Sequence, residues 1–446
     1  MFNPHLLSEF AQYYGFHYDI VDIETVKRDM YIEMERGLRG SSSTLAMLPA
    51  YINPVSTAPI GKKVIALDAG GTNFRAALVR FEENGEAVAE DTQKSFMPGT
   101  KGRMSSEQFF DHLAGMTAPL LEKEPNIQGI GFTFSYPMEI TKNIDGILLS
   151  FSKEIDAPEV IGKAIGQGLR EALDRRGVKA PDKIVLLNDT AATLLAGLVQ
   201  IKDAAYQGRG LHGVETNPVV GFILGTGFNI AYSEKKIPKI GFNSDKAQIV
   251  NCEAGGFMPR YLGRLDKEFD VSTKGPGVFW QEKVSAGAYV GPLTVHIWKQ
   301  AVRDRIITFK KAEEFLTATG LQTRHVNEFM HAPFKREGPI GGLFELDERD
   351  ALASFVYLAS TVTERGAKLS AAVLAAVVEK TAAGFDPFVP VHIAIEGTTY
   401  MIYRGLRRSL ESYLHTALVS RKPFYYTITP VEQASLFGAA VAALTE

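Results

Sequence analysis

Two short glycine–threonine loops, each joining strand-like runs, constrain this chain more than any other feature. The first lies in Val64-Ile65-Ala66-Leu67-Asp68-Ala69-Gly70-Gly71-Thr72-Asn73-Phe74-Arg75, and the second in Val220-Gly221-Phe222-Ile223-Leu224-Gly225-Thr226-Gly227-Phe228-Asn229. In each, an apolar β run meets a turn that only small residues make, and a second strand leaves at once. Such a hairpin turns several backbone N–H groups toward one point, and the missing Cβ atoms let an anion come close. One such loop is a weak signal. Two in one chain predict a duplicated fold with a phosphate gripped between its halves.

The 446 residues exceed one ordinary core and predict two or three domains. Hydrophobic content of 45% and charged content of 22% are those of a globular chain. The net charge of −3 argues against a nucleic-acid partner, because phosphate backbones need a basic face. Cys252 is the only cysteine, which excludes a disulfide or a cysteine-based zinc site within one chain, and the histidines show no ligand spacing. The opening MFNPHLLSEFAQYYGFH lacks the charged and apolar regions of a signal peptide. No apolar run approaches the roughly 20 residues of a membrane span. A cytoplasmic protein without a membrane partner is the expectation.

Along the chain, Val26, Met30, Met34 and Leu38 recur every fourth position and predict a helix over Glu24–Leu38, with no chemistry assigned to it. Strands are expected at 64–69 and 74–81, with Asn84-Gly85 turning toward a third. A helix over Ser105–Leu121 has Ser105 or Ser106 as its N-cap. A second helix, 158–176, is expected to bury Ile161, Ile165, Leu169, Ala172 and Leu173. The run 183–187 reads as a strand, followed by Asn188-Asp189-Thr190 and an apolar helix over 191–201. Helices are expected at 350–380 and 431–444, and a strand at 391–395 leads to Glu396-Gly397-Thr398-Thr399. Strands interspersed with helices, with meanders beside the glycine loops, predict an α/β protein with mixed sheets.

Asp68 ends an apolar strand, where an inward carboxylate is costly without a partner. A metal ion or its water shell would supply one, or Asp68 holds the hairpin as an Asx-type turn. Arg75 is either a phosphate contact or an outward strand residue. Asn188-Asp189-Thr190 stands at a strand's carboxyl end and a helix's start, a common ligand position in α/β sheets. Asp189 also fits as a plain helix N-cap, and Asn188 could serve the helix while Asp189 faces a cleft. Ser135, Ser152, Lys153, Asn229, Glu253 and Glu282 lie near glycine turns or apolar strands. Carboxylates and amides suit a sugar's hydroxyls, each both donor and acceptor.

In this order the segments resemble the eukaryote-type hexokinases, within the superfamily that shares its ATPase core with actin and the heat-shock chaperones. LRGSSSTLAMLPAYINP followed by LDAGGTNFRAALV resembles the family's entry and first phosphate motif. IGFTFSYPMEITKNIDGILLSFSKEID is similar to its sugar signature, with Ser135, Ser152 and Lys153 on sugar positions. LLNDTAATLLAG resembles the segment of the catalytic aspartate, here Asp189, beside the sugar-binding Asn188. ILGTGFNIAYSE is similar to the second phosphate motif, with Thr226 on the phosphate and Asn229 on the sugar. Glu253 in VNCEAGGF and Glu282 in WQEKVSAGAYVG fall on the two glucose-contacting glutamates.

The resemblance implies a two-lobed, duplicated ribonuclease-H-like α/β fold of the actin/hexokinase type, with mixed β-sheets flanked by helices and a central cleft. The small lobe would comprise 60–187 with 432–446, and the large lobe 1–59 with 188–431. It implies ATP-dependent phosphorylation of a hexose, with Asp189 as general base and Lys153 as the second catalytic residue. Asp68, Gly70, Gly71, Thr72, Asn73, Arg75, Gly225, Thr226, Gly227, Gly397 and Thr398 would hold the nucleotide, and Asp68 and Asp189 would face Mg²⁺ through water. Hexose and nucleotide are the implied partners of a monomer or homodimer. The adenosine segment departs from the family: Glu396-Gly397-Thr398 replaces an Asp-Gly start, and Tyr400-Met401-Ile402-Tyr403-Arg404 strays from the pattern. Pro292 replaces a frequent glutamate, and Ala434-Ser435-Leu436-Phe437-Gly438-Ala439-Ala440 lacks a glycine often found there.

Overall fold

The computed structural model describes residues 2–54, 60–71, 73–83, 86–151, 155–200, 219–419 and 423–445. Thr72, Ser152, Lys153 and the Asn84-Gly85 turn lie outside the described residues. The strands in chain order are β1 (Leu48–Pro49), β2 (Lys63–Ala69), β3 (Asn73–Phe81), β4 (Ala87–Phe96), β5 (Ile130–Phe134), β6 (Met138–Ile140), β7 (Gly146–Leu148) and β8 (Ile184–Leu187). They continue with β9 (Val219–Leu224), β10 (Phe228–Ile237), β11 (Phe242–Asn251), β12 (Val391–Glu396) and β13 (Tyr426–Pro430).

One five-stranded sheet runs β4-β3-β2-β5-β8, and a six-stranded sheet runs β1-β11-β10-β9-β12-β13. In the first, β2 pairs antiparallel with β3 and parallel with β5, which is parallel to β8. In the second, β9 pairs antiparallel with β10 and parallel with β12, which is parallel to β13. Strand order and direction therefore repeat, with β1 added antiparallel to β11 at one edge. This is the expected duplicated α/β fold with mixed sheets. The parallel strands β2, β5 and β8 are buried almost throughout and read as unbroken apolar runs, because helices cover both faces. Edge strand β4, AVAEDTQKSF, carries the charge that an unpaired sheet margin needs.

Helices Asp189–Gln200 and Ala434–Ala442 belong to a core that also takes in Val64 and Ala66 of the first sheet and Val219 and Ala231 of the second. Small residues bring their backbones into near contact. A Cβ on Gly438 would stand 2.0 Å from the Ala192 carbonyl oxygen, and one on Gly131 only 1.7 Å from that of Ala439. In the larger core, the buried helix Arg349–Lys380 carries a fully enclosed ion pair: Arg365 Nη1 and Nη2 each donate to an Asp266 carboxylate oxygen at 2.6 Å.

The helix Ile23–Arg39 buries Val26, Met30, Met34 and Leu38 as expected, opening on Asp22 and ending on Gly40 at φ 73°. Ser105 caps Ser106–Lys123 in a reciprocal box with Gln108. The expected helix 158–176 is broken, however. A 3-10 turn, Pro158–Val160, precedes the α-helix Ile165–Arg175, and Ile161 is exposed rather than buried. Gly162 at φ 81° lies between them, and its N–H donates to the Leu148 carbonyl, tying the segment to β7 instead of to a helical turn. The last helix starts at Ala434 rather than Val431, because Gln433 takes a left-handed backbone at φ 47°. Among the described residues, no helix is long and apolar enough to cross a membrane.

Candidate active site

The two glycine hairpins close as tight turns. Gly70 N–H donates to the Asn73 carbonyl at 3.0 Å, and Gly225 N–H to the Gly227 carbonyl at 3.0 Å. Asp68 and Arg75 are cross-strand partners in the β2–β3 register, so their side chains emerge on one face. Arg75 Nε and Nη2 both donate to Asp68 Oδ2, at 2.8 and 2.5 Å. The buried carboxylate thus has a guanidinium partner. Tyr136, on the turn after β5, donates its hydroxyl to the Gly70 carbonyl at 2.9 Å and braces the first hairpin.

β8 ends at Leu187, where Asn188 and Asp189 divide the two expected roles. Asn188 Oδ1 accepts the Thr190 N–H at 2.8 Å and so serves the start of the helix. Asp189 lines a cavity of about 1120 Å³ that also takes in Ser135, Asn188, Gly225, Thr226 and Gly227. Asn229, Glu253, Glu282, Gly397 and Thr398 line the same space. Asp68, Gly70, Gly71, Asn73 and Arg75 are not among its lining residues. The charges of Asp68 and Arg75 nevertheless act on Glu396, which is. Thr72, Ser152 and Lys153 lie outside the described residues.

A hydrogen-bonded chain orders the wall formed by β10 and β11. Asn229 Nδ2 donates to Asn251 Oδ1 at 2.7 Å, and Asn251 Nδ2 donates to Glu253 Oε1 at 2.7 Å. Glu253 holds a left-handed backbone at φ 55°, which turns the chain sharply at this wall. Burial raises its carboxyl pKa, opposed by the Asn251 hydrogen bond, with Asp189 adding to the rise. Glu282, on the helix Trp280–Ser285, accepts the Phe228 N–H at 3.2 Å. Burial pushes its pKa up to about 7, against that hydrogen bond and with help from Glu253 and Asp189. Gly227 and Gly255 make room for it, since a Cβ there would lie 2.9 and 3.2 Å from Glu282 Oε2.

Glu396 is more than a departure in the adenosine segment. It is a cleft carboxylate, pushed up to about 7 by burial first and then by Asp189 and Asp68, with Arg75 opposing. It ends β12, the same strand-end signal that singled out Asp68 and Asn188-Asp189. Gly397 beside it needs φ 140°, and a Cβ there would meet the Leu224 carbonyl carbon and oxygen at 2.3 Å. Only glycine lets this strand end lie against the second hairpin. Lys274 and Gly275, which nothing in their spacing marks, also line the cavity. Asp270 pins their loop by accepting from Lys283 Nζ and from the Gly277 N–H.

Among the described residues, no group of three or more His, Cys, Asp or Glu is placed to hold a metal directly. The charges of Asp189, Asp68 and Arg75 nonetheless all act on Glu396. Such a set fits a hydrated dication bound chiefly by phosphate oxygens.

Two family models described as Hexokinase match the chain, over residues 9–199 and 219–445. Hexokinase-2 of Equus caballus is 29% identical over 373 residues, covering 78% of this chain and 38% of the horse protein. The chain thus spans about two fifths of the length of such mammalian relatives. Hexokinase-2 of Candida albicans is 26% identical over 458 residues, covering 95% of this chain and 89% of that one. Among solved structures, the hexokinase from Schistosoma mansoni complexed with glucose aligns with a TM-score of 0.76 at 23% identity, over 99% of both chains, a likeness of fold. With both halves of the chain matched, the protein belongs to the hexokinase family.

Proposed function

We propose that the protein is a cytoplasmic hexokinase, active as a monomer or homodimer, that transfers the terminal phosphoryl group of ATP to the 6-hydroxyl of glucose, and of fructose and mannose. The observation that carries this reading is one cavity lined by Asp189, the second hairpin and Gly397-Thr398 together with Asn229, Glu253 and Glu282. Residues 60–187 with 432–446 form the small lobe in this reading, and 1–59 with 188–431 the large one. The S. mansoni hexokinase's bound glucose agrees with the substrate assignment.

Phosphoryl transfer runs through a loose transition state, so positioning and charge stabilisation supply most of the catalysis. The backbone N–H groups of Gly70, Gly71, Gly225 and Gly227 would cradle the phosphates, with Thr72, Thr226, Asn73 and Arg75 adding contacts. Gly397 and Thr398 would face the adenosine. Mg²⁺ would offset the charge developing on the phosphates, held on the protein side by Asp68 and Asp189 through water. Ser135, Ser152, Lys153, Asn188, Asn229, Glu253 and Glu282 would fix the hexose, with Lys153 also beside the reacting groups. The sugar oxygen attacks the terminal phosphorus, the bond to the bridging oxygen breaks, and the Asp189 carboxylate takes the hydroxyl proton. Water is the rival nucleophile. Sugar contacts from both lobes would draw the cleft shut and delay competence until the hexose is bound.

The test is an assay of hexose-phosphate formation from glucose and ATP, run beside GTP and polyphosphate because the segment 396–404 departs from the family pattern. No hexose phosphate formed with any donor would refute the reading. A second consequence concerns pH. Sugar hydroxyls donate best to an ionised carboxylate, and Glu282 in the empty cleft takes up its proton at about 7. Glucose affinity should therefore fall as pH drops below neutrality, by about tenfold per unit at the limit of one coupled proton. Calorimetric titrations between pH 5.5 and 8 would check this, and Glu282→Gln should flatten the profile around neutrality.

A further inference from the structure

A second cavity, of about 750 Å³, lies beyond the C-terminal end of the short helix Thr398–Ile402. Its walls are apolar: Phe2, Pro333, Leu352, Val356 and Tyr357 line it, with the Phe2 and Tyr357 rings edge to face at 6.3 Å. Phe334 at the rim is 63% exposed. The charged groups are all of one sign or potentially so. Lys335, Arg404 and His331 line the cavity, and no aspartate or glutamate does so among the described residues. Neither Lys335 nor Arg404 is ion-paired among the described residues, although the chain as a whole carries a net charge of −3.

An apolar recess of this size has the dimensions of a small-molecule site. Two exposed cations without counter-charges at its rim favour an anion through complementary charge. We propose that this cavity binds a single-chain aliphatic carboxylate, its alkyl chain along Leu352, Val356 and Tyr357 and its head group on Lys335 and Arg404. An unbranched chain fills an irregular apolar trough without needing polar partners inside it, and a guanidinium matches a carboxylate with two parallel N–H donors.

The site connects with the cleft through backbone groups. The Ile402 carbonyl accepts from Asn327 Nδ2 and His331 Nε2, each at 3.3 Å, and the Arg404 N–H donates to Asn327 Oδ1 at 2.9 Å. The other end of the same helix presents Thr398 to the first cavity. Occupancy at Arg404 and His331 therefore bears on the segment assigned to adenosine and shifts the Michaelis constant for ATP. That linkage rests on the phosphotransfer reading, whereas the binding itself does not.

The test is calorimetric titration of the full chain with sodium decanoate below its micelle concentration, beside decanol. Saturable one-to-one binding of decanoate is expected, and at least about tenfold weaker binding of decanol, as loss of one charge-assisted contact implies. The surface double variant Lys335→Glu/Arg404→Glu should lose at least as much, and Val356→Trp should block the trough. Absence of saturable binding, equal binding of decanol, or undiminished binding to the double variant would each overturn the site. An unchanged Michaelis constant for ATP at saturating decanoate would overturn the linkage. A chain that binds decanoate but forms no hexose phosphate from glucose would instead fail the phosphotransfer reading.

Discussion

Asp189→Ala is expected to lower turnover by roughly 10²–10⁴ while glucose still binds within about an order of magnitude. The division of labour at the β8 end is the reason. Asn188, not Asp189, accepts the Thr190 N–H, so removing the Asp189 carboxylate leaves the helix start capped. Glu253 keeps its Asn251 partner and Glu282 its Phe228 N–H, so the proposed sugar wall survives. Steady-state turnover set against calorimetric glucose affinity separates the two effects. Turnover near that of the parent would take the role of base away from Asp189. Loss of binding on a par with turnover would make it a sugar ligand only.

The second large effect is on stability. Arg365 and Asp266 are 0% and 2% exposed, Arg365 donates two hydrogen bonds to Asp266, and the Gly263 N–H also donates to Asp266. Arg365→Met leaves a carboxylate enclosed without its cation, which typically costs about 3–5 kcal/mol. The whole stability of a domain is about 5–15 kcal/mol, so the denaturation midpoint should fall steeply. The consequence reaches the cleft, because the next residue, Gly366, would place a Cβ 2.7 Å from the Val284 carbonyl. The long helix thereby backs the helix that carries Glu282. The combined replacement Arg365→Met/Asp266→Leu should recover much of the loss, as both charges then disappear. Urea titration of the three proteins checks it, and a midpoint unmoved in Arg365→Met would show that the pair contributes nothing.

Much of the fold was legible because its strands are extreme cases. β2, β5, β8 and β9 are nearly uninterrupted apolar runs ending in glycine or in a polar strand end, a pattern that local chemistry dictates. The break at Gly162 was not, since the amphipathic period of Ile161 and Ile165 runs straight through it. Only the tertiary pairing of Gly162 with Leu148 decides the matter. In the cleft, Asn229, Glu253 and Glu282 were legible through family order, not through spacing. Asp68 calls for a compensating partner, and Arg75 across the strand pair is one. Glu396 ends a strand as Asp68 does, but its place in the cleft depends on the pairing of β12 with β9, which the local sequence does not disclose. Lys274 is not legible in the sequence: its place depends on Lys283, which pairs with Asp270 and donates to the Gly275 carbonyl, contacts that no spacing discloses.

The seam between the two sheets has a mechanical meaning. Where Gly438 meets Ala192, main chain rests on main chain. No side chain longer than a hydrogen atom fits between the two main chains there, so Gly438→Ala would push the helix Ala434–Ala442 away from the helix that begins at Asp189. The spacing of that crossing is set by the methyl group that glycine lacks.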